Sequence, residues 1–150
     1  MGIVLTVRNP TGFADDLAAM CARVSRGAEF ATREGADMLL EAIRSNMNGP
    51  LPPKAPGADP ARRTGNLFGS VRMDVLAGSV GAGRWNYEIS VDTVKAPYAQ
   101  RIEFGFRGSD SLGRFYDQPE YPYFWKGVEQ VIDAGLLDDI YFANLESAVH

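Results

Sequence analysis

The side chains that most often carry out catalysis are few in this chain and lie far apart in the sequence. The only histidine is the last residue, His150, and the only cysteine is Cys21. A cysteine nucleophile needs a neighbouring base, and chain termini are usually mobile, so this pair favours neither covalent catalysis nor a zinc site. We expect Cys21 to be a buried structural thiol at the edge of an apolar helix face, because free cysteine packs as a small hydrophobe.

Two pairs of carboxylates suggest acid–base chemistry, namely Glu103 with Asp110 and Asp138 with Asp139. Acid–base catalysis needs a pocket that shifts the pKa of a carboxyl group, so we expect these four carboxylates to be solvated instead. Asp138 and Asp139 fit the first turn of a terminal helix, where the helix dipole favours negative charge. The run Gly81-Ala82-Gly83 is not part of a G-x-G-x-x-G pattern between a strand and a helix, so it predicts no nucleotide site. The residues therefore predict no enzyme, no metal and no cofactor.

The length and charge of the chain exclude several further classes of protein. Its 150 residues predict a single domain, 1–150, with one hydrophobic core. The net charge of -4 argues against a protein that grips nucleic acid through its phosphates, although DNA can pass nearby without being held. No apolar run reaches the length of a membrane span, and the amino terminus lacks the pattern of a secretory signal. We expect a protein made in the cytoplasm, with no membrane partner.

Residues 12–46 show the period of an amphipathic helix, with Thr11 as its cap and Asn48-Gly49-Pro50 as its stop. The apolar stripe consists of Phe13, Leu17, Met20, Val24, Ala28, Ala31, Met38 and Ala42. Gly27 and Gly35 indicate a kink or the close approach of another helix, and two shorter helices are the alternative. Phe30 and Leu40 fall outside the stripe, so we expect both on the outer surface, in contact with another subunit.

Residues 48–63 contain five of the nine prolines, which predicts an extended loop, since proline donates no backbone hydrogen bond. A loop of this length is uncommon in a compact domain unless it is functional. We expect it to become ordered only against a neighbouring subunit, with plain disorder as the alternative. The expected contact residues of this segment are Pro50, Pro52, Pro53, Lys54, Arg62 and Arg63.

The rest of the chain predicts a small antiparallel sheet and further helices. Thr64 is expected to cap a helical turn that runs to Ser70. Alternating apolar residues over 71–75 and 85–91, separated by a glycine-rich turn at 78–83, predict a hairpin. A short helix is expected over 97–105, a further strand around 114–116, and helices over 123–134 and 136–149. The predicted fold class is α+β, with a long N-terminal helix, a small antiparallel sheet with a hairpin, a short helix and C-terminal helices.

A group of aromatic residues precedes and begins the first of these C-terminal helices. It comprises Phe115, Tyr116, Tyr121, Tyr123, Phe124 and Trp125, with Arg114 and Lys126 among them. Aromatic side chains of this kind stack on single-stranded nucleic acid in some proteins. Core packing together with a protein interface is the favoured interpretation, because such residues dominate interface hot spots and the overall charge is negative.

Three short motifs resemble those of the tail-completion, or head–tail joining, proteins of long-tailed double-stranded-DNA bacteriophages. That family has a Thr-Gly-x-Leu-x-x-Ser turn, a hairpin, a Tyr-Ala-x-x-Ile/Val-Glu-x-Gly helix and a Pro-Phe-type entry into a carboxy-terminal helix. The matching residues are Thr64, Gly65, Leu67 and Ser70, then Tyr98, Ala99, Ile102, Glu103, Phe104 and Gly105, then Pro122, Tyr123 and Phe124. The order and spacing agree across about residues 12–134.

The resemblance implies a structural virion protein without enzymatic activity. It implies a ring of subunits, most often six, between the head connector and the tail tube in the phage neck. The implied partners are copies of the chain itself, neighbouring neck proteins and the tail tube protein, with DNA passing through the lumen without specific binding. A tail-terminator or stopper ring of the same neck is the alternative, and a nucleic-acid-binding module is the alternative from a different class.

The family motifs also imply local roles for their residues. We expect Gly65 and Gly105 to adopt backbone conformations that other residues resist. We expect Tyr98 and Phe104 to anchor the short helix beneath the sheet.

Overall fold

The computed structural model describes residues 10–51, 55–76 and 85–149 and confirms a mixed α+β fold. Within these ranges the helices are α1 Pro10–Ser45, α2 Asn66–Ser70, α3 Ala99–Phe104, α4 Phe124–Asp133 and α5 Leu136–Val149. The strands are β1 Val71–Val75, β2 Tyr87–Val91, β3 Phe106–Ser109 and β4 Phe115–Gln118. They form two separate two-stranded antiparallel sheets, β1 with β2 and β3 with β4.

Helix α1 is unbroken over 36 residues, which corresponds to a length of about 54 Å. It begins at Pro10, so Thr11 lies inside the first turn and does not cap it as expected. A Cβ atom at Gly27 would lie 2.9 Å from Cβ of Ala148, and one at Gly35 would lie 3.0 Å from Cδ2 of Leu137. The two glycines therefore permit the close approach of α5. The alternative of two shorter helices is wrong.

The hydrophobic core lies at the C-terminal end of α1, where this helix meets β1 and α4. Its fully buried members are Ile43, Met47, Val71 and Tyr123. The partly buried residues around them are Leu40, Leu67, Phe68, Ile89, Val91, Ile102, Phe124 and Val128. The core therefore joins segments that are up to 80 residues apart in the sequence, on the order of half the chain.

Leu40 is one of the residues packed against this core, so its expected position on the outer surface is wrong. At 100° per residue, Leu40 and Ile43 point away from the face of α1 that contains Gly27 and Ala31. The last turns of α1 thus bury a second face, against the hairpin and α4, in addition to the face that α5 covers.

The hairpin predicted by alternation is the β1–β2 sheet, with Val71 opposite Val91 and Met73 opposite Ile89. Val71 is buried and its three named neighbours are partly buried, so one face of the hairpin rests on the core. The expected turn over 78–83 lies outside the described residues. The prediction of this hairpin is confirmed, and β2 is slightly shorter than expected.

The second hairpin, β3–β4, was only half predicted. Strand β4 corresponds to the strand expected around 114–116, whereas β3 lies in a segment interpreted as turns. Gly108 and Ser109 occupy half of this four-residue strand, and both are poor strand formers. Pairing with Tyr116 and Phe115 on β4 holds them in the ladder, which no local pattern indicates.

The described parts of the proline-rich loop are bonded to the same chain. Gly49 N–H donates to the carbonyl of Pro60 at 3.0 Å, and Gly57 N–H donates to the carbonyl of Glu120 at 2.9 Å. Asp59 forms an ion pair with Lys126 of α4. These contacts contradict the expectation that the segment needs a neighbouring subunit to hold it. Residues 52–54, which include the expected contacts Pro52, Pro53 and Lys54, lie outside the described residues.

Candidate functional site

A buried carboxylate connects the second and third sequence motifs. The Glu103 side chain accepts hydrogen bonds from the backbone N–H groups of Tyr123 at 2.8 Å, Phe124 at 3.0 Å and Trp125 at 3.0 Å. Helix α4 begins at Phe124, so these donors belong to its otherwise unpaired first turn. A negative charge at a helix amino terminus also interacts favourably with the helix dipole. Glu103 is therefore the cap of α4.

The expectation of a solvated Glu103 is wrong, since only 6% of this residue is exposed. Tyr123, beside it, is 1% exposed, and burial, with a contribution from the charge of Glu103, raises the pKa of the Tyr123 hydroxyl. The Tyr123 side chain thus stays neutral at physiological pH and serves as a core residue. Proximity in sequence gave no signal for this contact, because about twenty residues separate Glu103 from α4.

Gly105 allows the chain to leave α3 and pass close to the segment before α4. Its φ of 70° and ψ of 175° lie in a region that is open essentially to glycine only. A Cβ atom there would lie 2.9 Å from the carbonyl oxygen of Gln118 and 3.0 Å from the nitrogen of Glu120. The expected special geometry of Gly105 is confirmed.

The buried face of α3 differs from the expected one. Ala99 and Glu103, four residues apart, are buried, whereas Phe104 is 65% exposed and Tyr98 is also exposed. Phe104 and Tyr98 therefore do not anchor the helix beneath the sheet. The capping contact of Glu103 turns the opposite face of α3 inward.

The first motif forms the turn that leads into β1. Gly65 is the N-cap of α2, with a φ of 77°, which confirms its expected special geometry. Thr64 lies one residue before the cap, so its expected position as the cap is wrong. Its Oγ1 accepts a 3.4 Å hydrogen bond from Asn66 N–H. The buried Ser70 hydroxyl donates to the carbonyl of Leu67 at 2.6 Å and closes the turn.

The first and second motifs meet at one cavity of about 450 Å³, which we call the motif cavity. Leu67 and Ile102 supply part of its apolar wall, and Tyr98 supplies an aromatic edge. Its size is that of pockets that hold a small ligand or a large side chain. Arg62 and Arg63, two of the expected contact residues, also line it, while Pro50 is exposed elsewhere on the loop.

Two arginines lie against one aromatic ring at the edge of the motif cavity. The guanidinium carbon of Arg62 lies 4.2 Å from the centroid of Phe68, and that of Arg44 lies 5.3 Å from it. Arg44 also donates through Nη2 to the carbonyl of Val71 at 2.7 Å. Among the described residues, no aspartate or glutamate lines the motif cavity, so its rim is positively charged. Phe68 was not predicted to take part in this arrangement.

A second surface is formed by the amino-terminal part of α1. Every residue from Phe13 to Arg23 is exposed, and we call this segment the arm. Phe13, Leu17 and Met20 share one face of the arm, and Phe13 is 70% exposed. Cys21 is exposed as well, so the expected burial of its thiol is wrong. Beyond the arm, Phe30 is 63% exposed, which confirms its expected place on the outer surface.

The other three members of the two carboxylate pairs, Asp110, Asp138 and Asp139, have separate, local roles. Asp138 and Asp139 lie in the first turn of α5, as predicted. Asp110 organises the turn between β3 and β4. Its Oδ1 accepts from the N–H groups of Leu112 and Arg114, each at 2.9 Å, and its Oδ2 accepts from Arg114 Nε at 2.7 Å. Asp110 is thus a turn residue with fixed partners and not the solvated carboxylate that was expected.

We expect the Asp110 carboxyl to titrate below its ordinary value of 3.8. The hydrogen bond from the Arg114 backbone, followed by that from the Arg114 side chain, lowers its pKa. Since the folded pKa is depressed, the stabilisation of the turn is present above pH 3.8 and is lost as pH falls through the folded value. NMR of the Asp110 carboxyl carbon, with the Leu112 and Arg114 amide protons as reporters, measures this. A midpoint at or above 3.8 would contradict the assignment.

Within the described ranges, no three His, Cys, Asp or Glu side chains are grouped so that they could hold a metal ion. Among the same residues, no helix is long and apolar enough to cross a membrane. No protein-family model, curated protein or solved structure matches the chain. The arm presents exposed apolar side chains, and the motif cavity has a partly apolar wall and a positively charged rim.

Proposed function

We propose that this chain is a structural protein of a bacteriophage neck. It forms a ring that joins the head connector to the tail tube, and it acts by fitting against copies of itself and other virion proteins, without catalysis.

The observation that supports this proposal most directly is the bond between Glu103 and the first turn of α4. It gives a physical reason for the order of two family-like motifs, because the glutamate of one caps the helix that the other begins. The motif containing Thr64 lies at the same cavity as Tyr98 and Ile102 of the second motif.

The exposed apolar surface is consistent with an assembly role. Phe13 and Phe30 on α1 and Phe142 on α5 are all more than half exposed in the single chain. Aromatic side chains of this kind supply much of the binding energy at protein interfaces. The net charge of -4 suits a ring through which DNA slides, since an acidic lumen repels phosphates.

The proposed function predicts the phenotype of a phage or prophage from which this gene is deleted. We expect filled heads and finished tails to accumulate separately, with joining restored by the intact chain supplied in trans. Electron microscopy of the lysate and mass spectrometry of purified particles measure this. A chain that is absent from particles, or a deletion that leaves joined particles unchanged, would overturn the proposal. Tight DNA binding by the purified chain with a steep salt dependence would favour a nucleic-acid-binding module instead.

A further inference from the structure

We propose that the arm of one copy of this chain docks into the motif cavity of the next copy. In this contact Phe13 enters the apolar part of the cavity, and Asp16 lies near Arg62 and Arg63 on its rim. The inference deepens the ring proposed above by naming its interface, and it rests on that proposal.

The apolar face of the arm continues a face of α1 that is already a packing surface. Further along the helix, Gly27 and Ala31 are buried, and Ala148 of α5 lies against Gly27. On a helical wheel, Phe13 and Met20 fall within about 40° of Gly27 and Ala31. In the single chain, Phe13, Leu17 and Met20 on this face are all exposed. A contact with a second copy buries these side chains.

The arm cannot reach the motif cavity of its own chain. Phe13 lies near the start of α1, and Met47, which lines the cavity, lies just after its end. Because α1 is a continuous helix, the roughly 30 residues between them hold the two sites about 50 Å apart. An arm that occupies a motif cavity must therefore belong to a different copy.

The two surfaces are complementary in charge and in size. Asp15 and Asp16 are the only charged residues of the arm before Arg23, and both are exposed. Asp16 lies about 60° around the helix from Phe13, whereas Asp15 lies on the opposite face. The cavity rim carries Arg62 and Arg63, and none of the described residues that line it is acidic. Opposite charges that meet in this way fix the orientation of docking and speed association. The cavity of about 450 Å³ is large enough to take one aromatic side chain with its neighbours.

The contact joins two different surfaces of the same protein, so it is heterologous. Each copy uses its arm on one neighbour and offers its cavity to another. A heterologous contact produces a closed ring when the rotation between neighbours divides the circle evenly, and a filament otherwise. The arrangement thus accounts for a ring without a two-fold axis between subunits.

Cross-linking of mixed single-cysteine variants tests this contact in the full chain. With Cys21→Ser as the common background, one variant carries Ala14→Cys in the arm and the other carries Asn66→Cys beside the cavity. We expect a short bis-maleimide to give a covalent dimer when the two variants are mixed, and little when either is treated alone. The double variant is expected to give a ladder of higher oligomers.

Several results would overturn the inference. A dimer from Ala14→Cys alone would mean that arms pair with each other. No dimer on mixing, up to the highest soluble concentration, would mean that the arm of one copy does not reach the cavity of another. If the two variants give no cross-linked dimer but still join heads to tails, the contact is refuted and the proposed function stands. Absence from particles would refute the function itself.

Charge reversal provides a second, independent measurement. Asp16→Lys is expected to weaken self-association about tenfold, since like charges then face each other. Mixing this variant with Arg63→Glu is expected to restore part of the self-association, because the lysine of one variant's arm then meets the glutamate at the other variant's cavity. Sedimentation velocity measures both, with Glu129→Lys on the exposed face of α4 as control. Equal weakening by the control, or no restoration on mixing, would overturn the inference.

Discussion

Replacing Glu103 by alanine is expected to lower the free energy of unfolding by about 3 kcal/mol, because three backbone donors at the start of α4 lose a charged acceptor together. Their burial limits replacement by water, since Tyr123 is buried and Phe124 is only partly exposed. For a chain of this size the loss corresponds to a fall in Tm of roughly 6–12 °C.

The Glu103→Gln variant separates the charge of this cap from its shape. Glutamine keeps one acceptor oxygen but places an NH₂ group where the other oxygen stood, so one or two of the three N–H groups face a donor. We expect its stability to lie between those of the wild type and Glu103→Ala. Urea unfolding followed by circular dichroism measures all three proteins.

The matched control is Glu129→Ala, which removes an exposed carboxylate from α4 itself. It is expected to change stability by no more than about 0.5 kcal/mol, as surface substitutions usually do. If Glu103→Ala costs less than about 1 kcal/mol, or no more than the control, the carboxylate does not cap α4 in solution.

Gly127→Ala is expected to destabilise the fold by about 3 kcal/mol, although alanine is the better helix former by about 1 kcal/mol. A Cβ atom at this position would lie 2.7 Å from both Cα and N of Ile43. These are backbone atoms of α1, which cannot move aside as a flexible side chain does. Helix α4 must therefore shift away from α1 and open the core around Ile43 and Val131.

Gly69→Ala in α2 is the control for this substitution. There the added Cβ atom meets only the far end of the Lys95 side chain, at 3.0 Å, which can move at little cost. We expect thermal unfolding to show a change within about 1 kcal/mol for Gly69→Ala and a large loss for Gly127→Ala. A Gly127→Ala protein as stable as the wild type would show that the two helices pack less closely than described.

Glu103→Ala and Gly127→Ala both act on the placement of α4. They should leave the arm unchanged, since the arm lies at the other end of α1. Loss of stability and loss of self-association are thus expected to be separable. Charge reversal at Asp16 changes an exposed side chain, so it should weaken assembly without lowering Tm by more than a degree or two.

The regular elements follow from short-range patterns in the sequence. The 3.6-residue apolar period predicted α1 and α4, and a terminal helix was predicted at α5, each within about two residues of the observed bounds. Strict alternation predicted the β1–β2 hairpin. These elements are long or strongly patterned. Such a pattern predicts a helix or strand without knowledge of which other segment its apolar face packs against.

The environment of individual side chains depended on which segment covers each face. Leu40 is packed rather than exposed because α1 buries a second face near its end. Cys21 is exposed because it lies about 80–120° around α1 from the face that contains Gly27 and Ala31. Strand β3 forms because β4 offers it a partner, against the poor strand propensity of Gly108 and Ser109.

The sequence by itself thus determined the α+β class, the long helix, the first hairpin and the glycine conformations at Gly65 and Gly105. Only the tertiary structure decided that Glu103 caps α4 and that Arg62 and Phe68 meet beside the motif cavity. The physical reason is the separation in sequence over which each kind of interaction acts. Periodicity and turn chemistry act over a few residues, whereas a buried charge or a cavity is set by segments that meet only after the chain has folded.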